Sequence, residues 1–157
     1  MKRVTLLATI VAFCVTALAA QATKPSFAGK WTLTDPNAAN PMAGLSASLT
    51  VAQDDKTMKV TAVGGQMGDI STTYNMDGTE GKSPLEFNGN SIDRATKVKW
   101  DGAKLVLTTA VTFNGQTFET VQVWALDATG NLVIDSTRPD FQGGGAPVKS
   151  SATYKKG

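Results

Sequence analysis

The 157-residue chain has no histidine and one cysteine, Cys14, and both scarcities narrow its chemistry. Without His there is no imidazole base, no His-containing triad, and no His-ligated metal or haem. Cys14 lies within a leader-like segment, so the chain that follows carries no thiol. Disulfides, thiolate metal sites and Cys nucleophiles are thereby excluded from it. An excess of one charge is also missing. Taking Lys2 and Arg3 away with the leader leaves 13 basic residues against 13 acidic ones. A neutral domain of this kind is not built to hold a polyanion by counterion release, so nucleic acid is not an expected partner. No window shows a sustained helical period, which leaves strands as the main element.

The leader has three zones. Lys2 and Arg3 form a positive start, Val4 to Val15 is mostly apolar, and Ala17-Leu18-Ala19 supplies the small residues that a signal peptidase reads. Cleavage is expected after Ala19, with Ala20 and Ala22 as neighbouring alternatives. The apolar stretch, about 17 residues, is at the lower edge of what spans a bilayer, and no basic stop-transfer flank follows it. A lipid anchor on Cys14 is disfavoured because Phe13, not a small residue, precedes it. With no Asn-x-Ser/Thr sequon anywhere, the chain reads as a periplasmic or secreted bacterial protein, free of the membrane once the leader is removed. Residues 20–26 then form a flexible N-terminal tail, and residues 27–157 a single domain of ordinary size.

From Phe27 onward the chain alternates. Phe27, Trp31 and Leu33 share one parity; Leu45, Ala47, Leu49 and Val51 follow, then Met58, Val60 and Ala62, and Ile70, Thr72, Tyr74 and Met76. Later runs are Ile92 to Trp100, Leu105 to Val111, Phe118 to Leu126, Leu132 to Ser136 and Val148 to Tyr154. Period-two alternation marks strands with one wet and one dry face. Asp101-Gly102 and Asn114-Gly115 between such runs are strong hairpin signals, because the tight turn asks for positive φ. The expected fold class is therefore all-β, an antiparallel up-and-down meander of eight to nine strands. A meander that long removes its edges by closing into a barrel, and a two-sheet sandwich is the other arrangement with the same strand count.

Four loops interrupt the rhythm: Asp35 to Gly44 with two prolines, Gly-rich Gly64 to Gly68, the long Asp77 to Ser91 with a short strand at Leu85 to Phe87, and Pro139 to Pro147 with three consecutive glycines. Asp54-Asp55 reads as a turn former. Asp77 and Glu80 match no calcium-loop spacing and read as a solvated acidic turn. Lys97 and Lys99 fall on an outward face.

At Phe27-Ala28-Gly29-Lys30-Trp31 the chain resembles the first strand of lipocalins and their calycin relatives, which opens with Gly-x-Trp. The resemblance implies that Gly29 permits close packing and that Trp31 plugs the closed end of the barrel. It also implies that Arg138, at the end of the eighth alternating segment, stacks over that Trp. The family's Thr-Asp-Tyr, disulfide and late helix have no counterparts here. Fatty-acid-binding proteins also open with such a segment, but Asp35 to Gly44 is too short for their helix pair.

The candidate ligand-binding residues are Tyr74, Arg94, Thr96, Trp100, Thr120 and Gln122, which share parity with the inward apolar positions, as Thr109 also does. A guanidinium inside a barrel is costly unless it meets an anion or a carboxylate. Arg94 therefore points either to an acid-headed ligand or to a side chain that snorkels to the rim. Trp31, Trp100 and Trp124, with Phe113, Phe118 and Tyr74, form either an aromatic pocket or a packed core. A small barrel can be filled by its own side chains or can hold one small ligand. No residue pattern suggests Ser/Lys, carboxylate or Tyr catalysis, and no cofactor or metal is expected. The expected function is a non-enzymatic, lipocalin-like carrier of a small hydrophobic or amphipathic molecule, with the loops at 35–44 and 64–68 flanking the open end. The alternative is a protein-binding module, such as a periplasmic inhibitor of a secreted protease that inserts residues 20–26 into the enzyme.

Overall fold

The computed structural model describes residues 24–65, 68–87, 89–140 and 144–157. The leader and its cleavage site lie outside them, as do Gln66 and Met67 of the second loop and residues 141–143 of the last. The strands are β1 (Gly29–Leu33), β2 (Ser48–Gln53), β3 (Thr57–Gly65), β4 (Gly68–Asn75), β5 (Gly81–Lys82), β6 (Leu85–Phe87), β7 (Asn90–Ile92), β8 (Arg94–Asp101), β9 (Lys104–Phe113), β10 (Gln116–Leu126), β11 (Leu132–Arg138) and β12 (Val148–Lys156). Ten of them form one antiparallel sheet in the order β4-β3-β2-β1-β12-β11-β10-β9-β8-β5, and β6 and β7 form a separate hairpin. The fold is an all-β meander closed through β12, which pairs with both β1 and β11. The alternating segments of the sequence are the nine long strands, and the loop after Asp77 supplies three short ones.

The turns follow from local chemistry. Asn114 (φ 50°) and Gly115 (φ 76°) are both left-handed, the conformation a type I′ hairpin demands. The β8–β9 connection differs from the expected Asp-Gly turn. Asp101 pairs with Lys104, so Gly102 (φ 59°) takes the first central position and Ala103 the second. Gly at that first position is the mark of a type II′ turn. Gly29 has a φ of 138°, and a Cβ there would come within 2.8 Å of Lys156 Cε. The lysine side chain can move aside, so it is the positive φ that calls for glycine at this position.

The core lies along the inner parity of every long strand. At one end Phe27 stacks on Trp100, with ring centroids 6.2 Å apart, and meets Trp124 edge-on at 5.9 Å. Trp31 is buried beside them and donates from Nε1 to the Phe27 carbonyl at 2.8 Å. This aromatic layer fills that end of the barrel with specific ring geometry. Lys24 Nζ sits 5.4 Å from the Trp100 ring centroid, so the described part of the N-terminal tail packs against the same layer.

The structure corrects the expectation for Arg138. Because β12 lies between β11 and β1, the end of the eighth long strand is not beside the first. Arg138 pairs with Val148 at one end of β12 and Trp31 with Lys156 at the other, roughly 26 Å away at the usual strand rise. The cation over Trp31 is Lys156, with Nζ 5.4 Å from the ring centroid.

Candidate functional site

Away from the aromatic layer the barrel is hollow. A cavity of about 630 Å³ lies against the inner faces of β2, β3, β4, β8, β9 and β10. Its apolar wall includes Leu49, Val60, Ala62, Ile70, Leu85 and Val111; Thr72, Tyr74, Arg94, Thr109, Thr120 and Gln122 are the polar side chains facing it from these strands.

One wall is the segment between β1 and β2, which folds inward as a strap. Two 3-10 turns, Pro36–Ala38 and Pro41–Ala43, are capped by Asp35 and Asn40, whose carboxylate and amide oxygens accept from Asn37 N at 2.9 Å and Ala43 N at 3.3 Å. Ala43 and Leu45 are fully buried. The Ala43 carbonyl accepts from Gln122 Nε2 at 2.9 Å and from Ser136 Oγ at 2.7 Å, and Tyr154 Oη donates to the Ser46 carbonyl at 3.0 Å. Burial raises the pKa of the Tyr154 hydroxyl further above its ordinary value, so it is a donor throughout the neutral and alkaline range. A Cβ on Gly44 would stand 2.6 Å from Gln122 Nε2, so the strap seats this deeply only with glycine there. Pro41, Met42, Gly44 and Ser46 of the strap line the cavity. Met42 is 64% exposed at the mouth.

The opposite wall contains the seam where the sheet meets itself. β4 lies beside β8 and β5, yet no strand pairing joins them among the described residues. Side chains satisfy the edge of β4 instead. Arg94 Nη2 donates to the Ser71 carbonyl at 2.6 Å, and Thr96 Oγ1 to the Thr73 carbonyl at 2.8 Å. Thr73 N donates to Ser83 Oγ at 3.2 Å. Tyr74 Oη reaches across to Thr109 Oγ1 on β9 at 3.0 Å. Burial raises the Tyr74 hydroxyl pKa, with the Thr109 bond and the Arg94 charge opposing.

Arg94 is the one charged side chain in the buried class among the described residues, at 7% exposure. Its Nε donates to the Ser83 carbonyl at 2.6 Å, and Nη2 also reaches Ser83 Oγ at 3.2 Å. Burial lowers its pKa, and the Tyr74 side chain opposes that shift; no carboxylate contributes. Among the described residues Nη1 makes no hydrogen bond, and Arg94 faces the cavity.

Of the six candidates named from the sequence, Tyr74, Arg94, Thr120 and Gln122 line the cavity. Gln122 is committed at both ends of its amide, because Oε1 accepts from Trp124 Nε1 at 3.1 Å. Thr96 and Trp100 are corrections. Thr96 faces inward, but its hydroxyl is turned onto the Thr73 carbonyl at the seam, where it is 1% exposed. Trp100 belongs to the aromatic layer at the far end, stacked on Phe27. Phe113, named from the sequence among the aromatics of a pocket or core, is 54% exposed beside the β9–β10 turn. The Asp77 carboxylate is engaged in its own turn, accepting from Thr79 N at 2.9 Å and Thr79 Oγ1 at 2.6 Å.

The loop at 35–44, expected beside the open end, does line the cavity with Pro41, Met42 and Gly44; that it folds inward as a wall was not legible, since its place depends on bonds to residues 79 and 93 positions away. A scan against protein-family models finds no match for the chain, and a search of curated protein sequences finds none either.

Proposed function

We propose that the protein is an exported, non-enzymatic carrier, lipocalin-like in architecture, that holds one small hydrophobic or amphipathic molecule inside its barrel. The observation that carries this reading is the cavity of about 630 Å³, within the size range of small-molecule sites. Its lining has the composition such sites use, a mostly apolar wall with a few polar groups that fix orientation. Thr72 and Thr120 contribute hydroxyls with no protein hydrogen-bond partner among the described residues, and both are available to a ligand. Burial of apolar surface supplies the driving force.

Native mass spectrometry of the protein taken from its host's envelope fraction tests the proposal. A discrete adduct of a few hundred daltons that is lost on denaturation is the expected result. A bare mass, with no response of Trp fluorescence to a panel of lipids and hydrophobic metabolites, overturns it and turns the search to a protein partner. Removing residues 20–26 separates the two readings further: a carrier keeps its ligand, whereas an inhibitor that inserts this segment loses potency.

A further inference from the structure

Arg94 offers more than the seam requires. A guanidinium has five N–H donors, and three of them are used, one on the Ser83 carbonyl, one on Ser83 Oγ and one on the Ser71 carbonyl. The two on Nη1 have no partner among the described residues, and the side chain lines the cavity. Two positions along the same strand, Thr96 makes the equivalent bond to the Thr73 carbonyl with a neutral hydroxyl. Bridging this seam therefore does not call for a full positive charge. A buried charge carries a large desolvation penalty, which carbonyl dipoles offset only in part and a counter-anion offsets best. The chain provides no such anion here: twelve of its thirteen acidic residues are exposed, the other, Asp140, is half-buried, and none lines the cavity.

We infer that the molecule this cavity takes is an amphipathic monoanion, its acidic head held by Arg94 Nη1 and its apolar tail lying along Val60, Ile70, Leu85 and Val111. The inference rests on the carrier reading and names the chemical class of its ligand. The free Thr72 and Thr120 hydroxyls supply further polar contacts within the same cavity. A cationic head is excluded by like charge, and a neutral head leaves the Arg94 charge uncompensated.

Three probes that share one tail and differ in the head decide the matter on the full mature chain: dodecanoate, dodecanol and dodecylamine, with affinities read by calorimetry and Trp fluorescence. Dodecanoate is expected to bind at least about tenfold more tightly than dodecanol, the gain usual for a charge-assisted hydrogen bond, and dodecylamine most weakly. Arg94→Gln should bring the ratio of dodecanoate to dodecanol affinity down to about one, a ratio read within the variant and so unaffected by any general weakening from the lost seam bonds. Should that variant not fold, the wild-type chain still answers, because the Arg94 Nη1–H resonances should move downfield on adding dodecanoate, as a charge-assisted bond requires, and show no such shift with dodecanol. Equal or tighter binding of dodecanol, or an unmoved Arg94 resonance, overturns the anionic head and leaves the carrier reading standing. Binding of none of the three overturns this inference, while the adduct experiment above judges the carrier reading independently.

Discussion

Arg94 Nη2 lies 2.6 Å from the Ser71 carbonyl, joining β8 to β4 at the seam, where these neighbouring strands share no backbone ladder among the described residues. The bond ties the fold to the cavity, because the side chain that spans the seam also faces the hollow interior. A ladder would satisfy the edge of β4 residue by residue. Here one guanidinium and two hydroxyls do so, and each is a single point of failure.

Thr96→Val tests that seam. Valine keeps the shape but removes the donor to the Thr73 carbonyl, leaving a part-buried acceptor unsatisfied. The expected loss is about 1–2 kcal/mol in urea unfolding. Hydrogen exchange should quicken in β4 and β8 more than in the fully laddered pair β10–β11. Uniform loss of protection across the sheet would show that the seam has no local opening of its own.

Gly29→Ala separates backbone strain from crowding. The φ of 138° disfavours any Cβ, and the nearest obstacle, 2.8 Å away, is the flexible Lys156 side chain. A cost of about 1–3 kcal/mol is expected. Adding Lys156→Ala should recover little of it, since the lysine can move and the φ cannot. Full recovery in the double variant would assign the cost to crowding.

The nine long strands were legible because one dry face against one wet face leaves a period of two in the sequence, and the inward parity of Tyr74, Arg94, Thr120 and Gln122 followed from it. What parity could not supply was depth along the barrel. Trp100 and Arg94 share the inner face of β8, but six residues separate the aromatic layer from the cavity. Two- and three-residue strands such as β5 and β7 are too short to show any period. Arg138 was misplaced for a topological reason, because the insertion of β12 beside β1 has no local signature. The seam bonds of Arg94 and Thr96 end on backbone carbonyls, which every residue has and no sequence pattern marks.

Gln122 and Ser136 should couple energetically through a carbonyl they share. Either alone can satisfy Ala43 O, at 2.9 and 2.7 Å respectively, and only loss of both leaves it bare. In a double-mutant cycle of Gln122→Ala and Ser136→Ala, the double variant should lose about 1 kcal/mol more than the sum of the singles. The Gln122 variants should also alter Trp124 emission, since its Nε1 loses an acceptor. Additive losses would show that the strap is held by Leu45 and Ala43 packing rather than by these bonds.

The turn between β10 and β11 should respond to acid through Asp127. Its carboxylate accepts from Thr129 Oγ1 at 2.7 Å, Thr129 N at 2.8 Å, Asn131 N at 2.9 Å and Asn131 Nδ2 at 3.1 Å. These bonds, led by the Thr129 hydroxyl, lower its pKa from 3.8 to about 2. A depressed carboxylate pKa contributes stability that is complete above the ordinary carboxylate range and is lost as pH falls through it toward the folded value. Asp127→Asn imitates the protonated side chain, so the variant should be less stable than wild type near neutral pH. The gap should narrow below about pH 4 and close near pH 2, with the carboxyl carbon titrating at about 2 by NMR. A gap that stays constant over that range would mean that the turn gains nothing from the negative charge and is held by Gly130 and the backbone bond between Asp127 and Asn131, 2.9 Å long, alone.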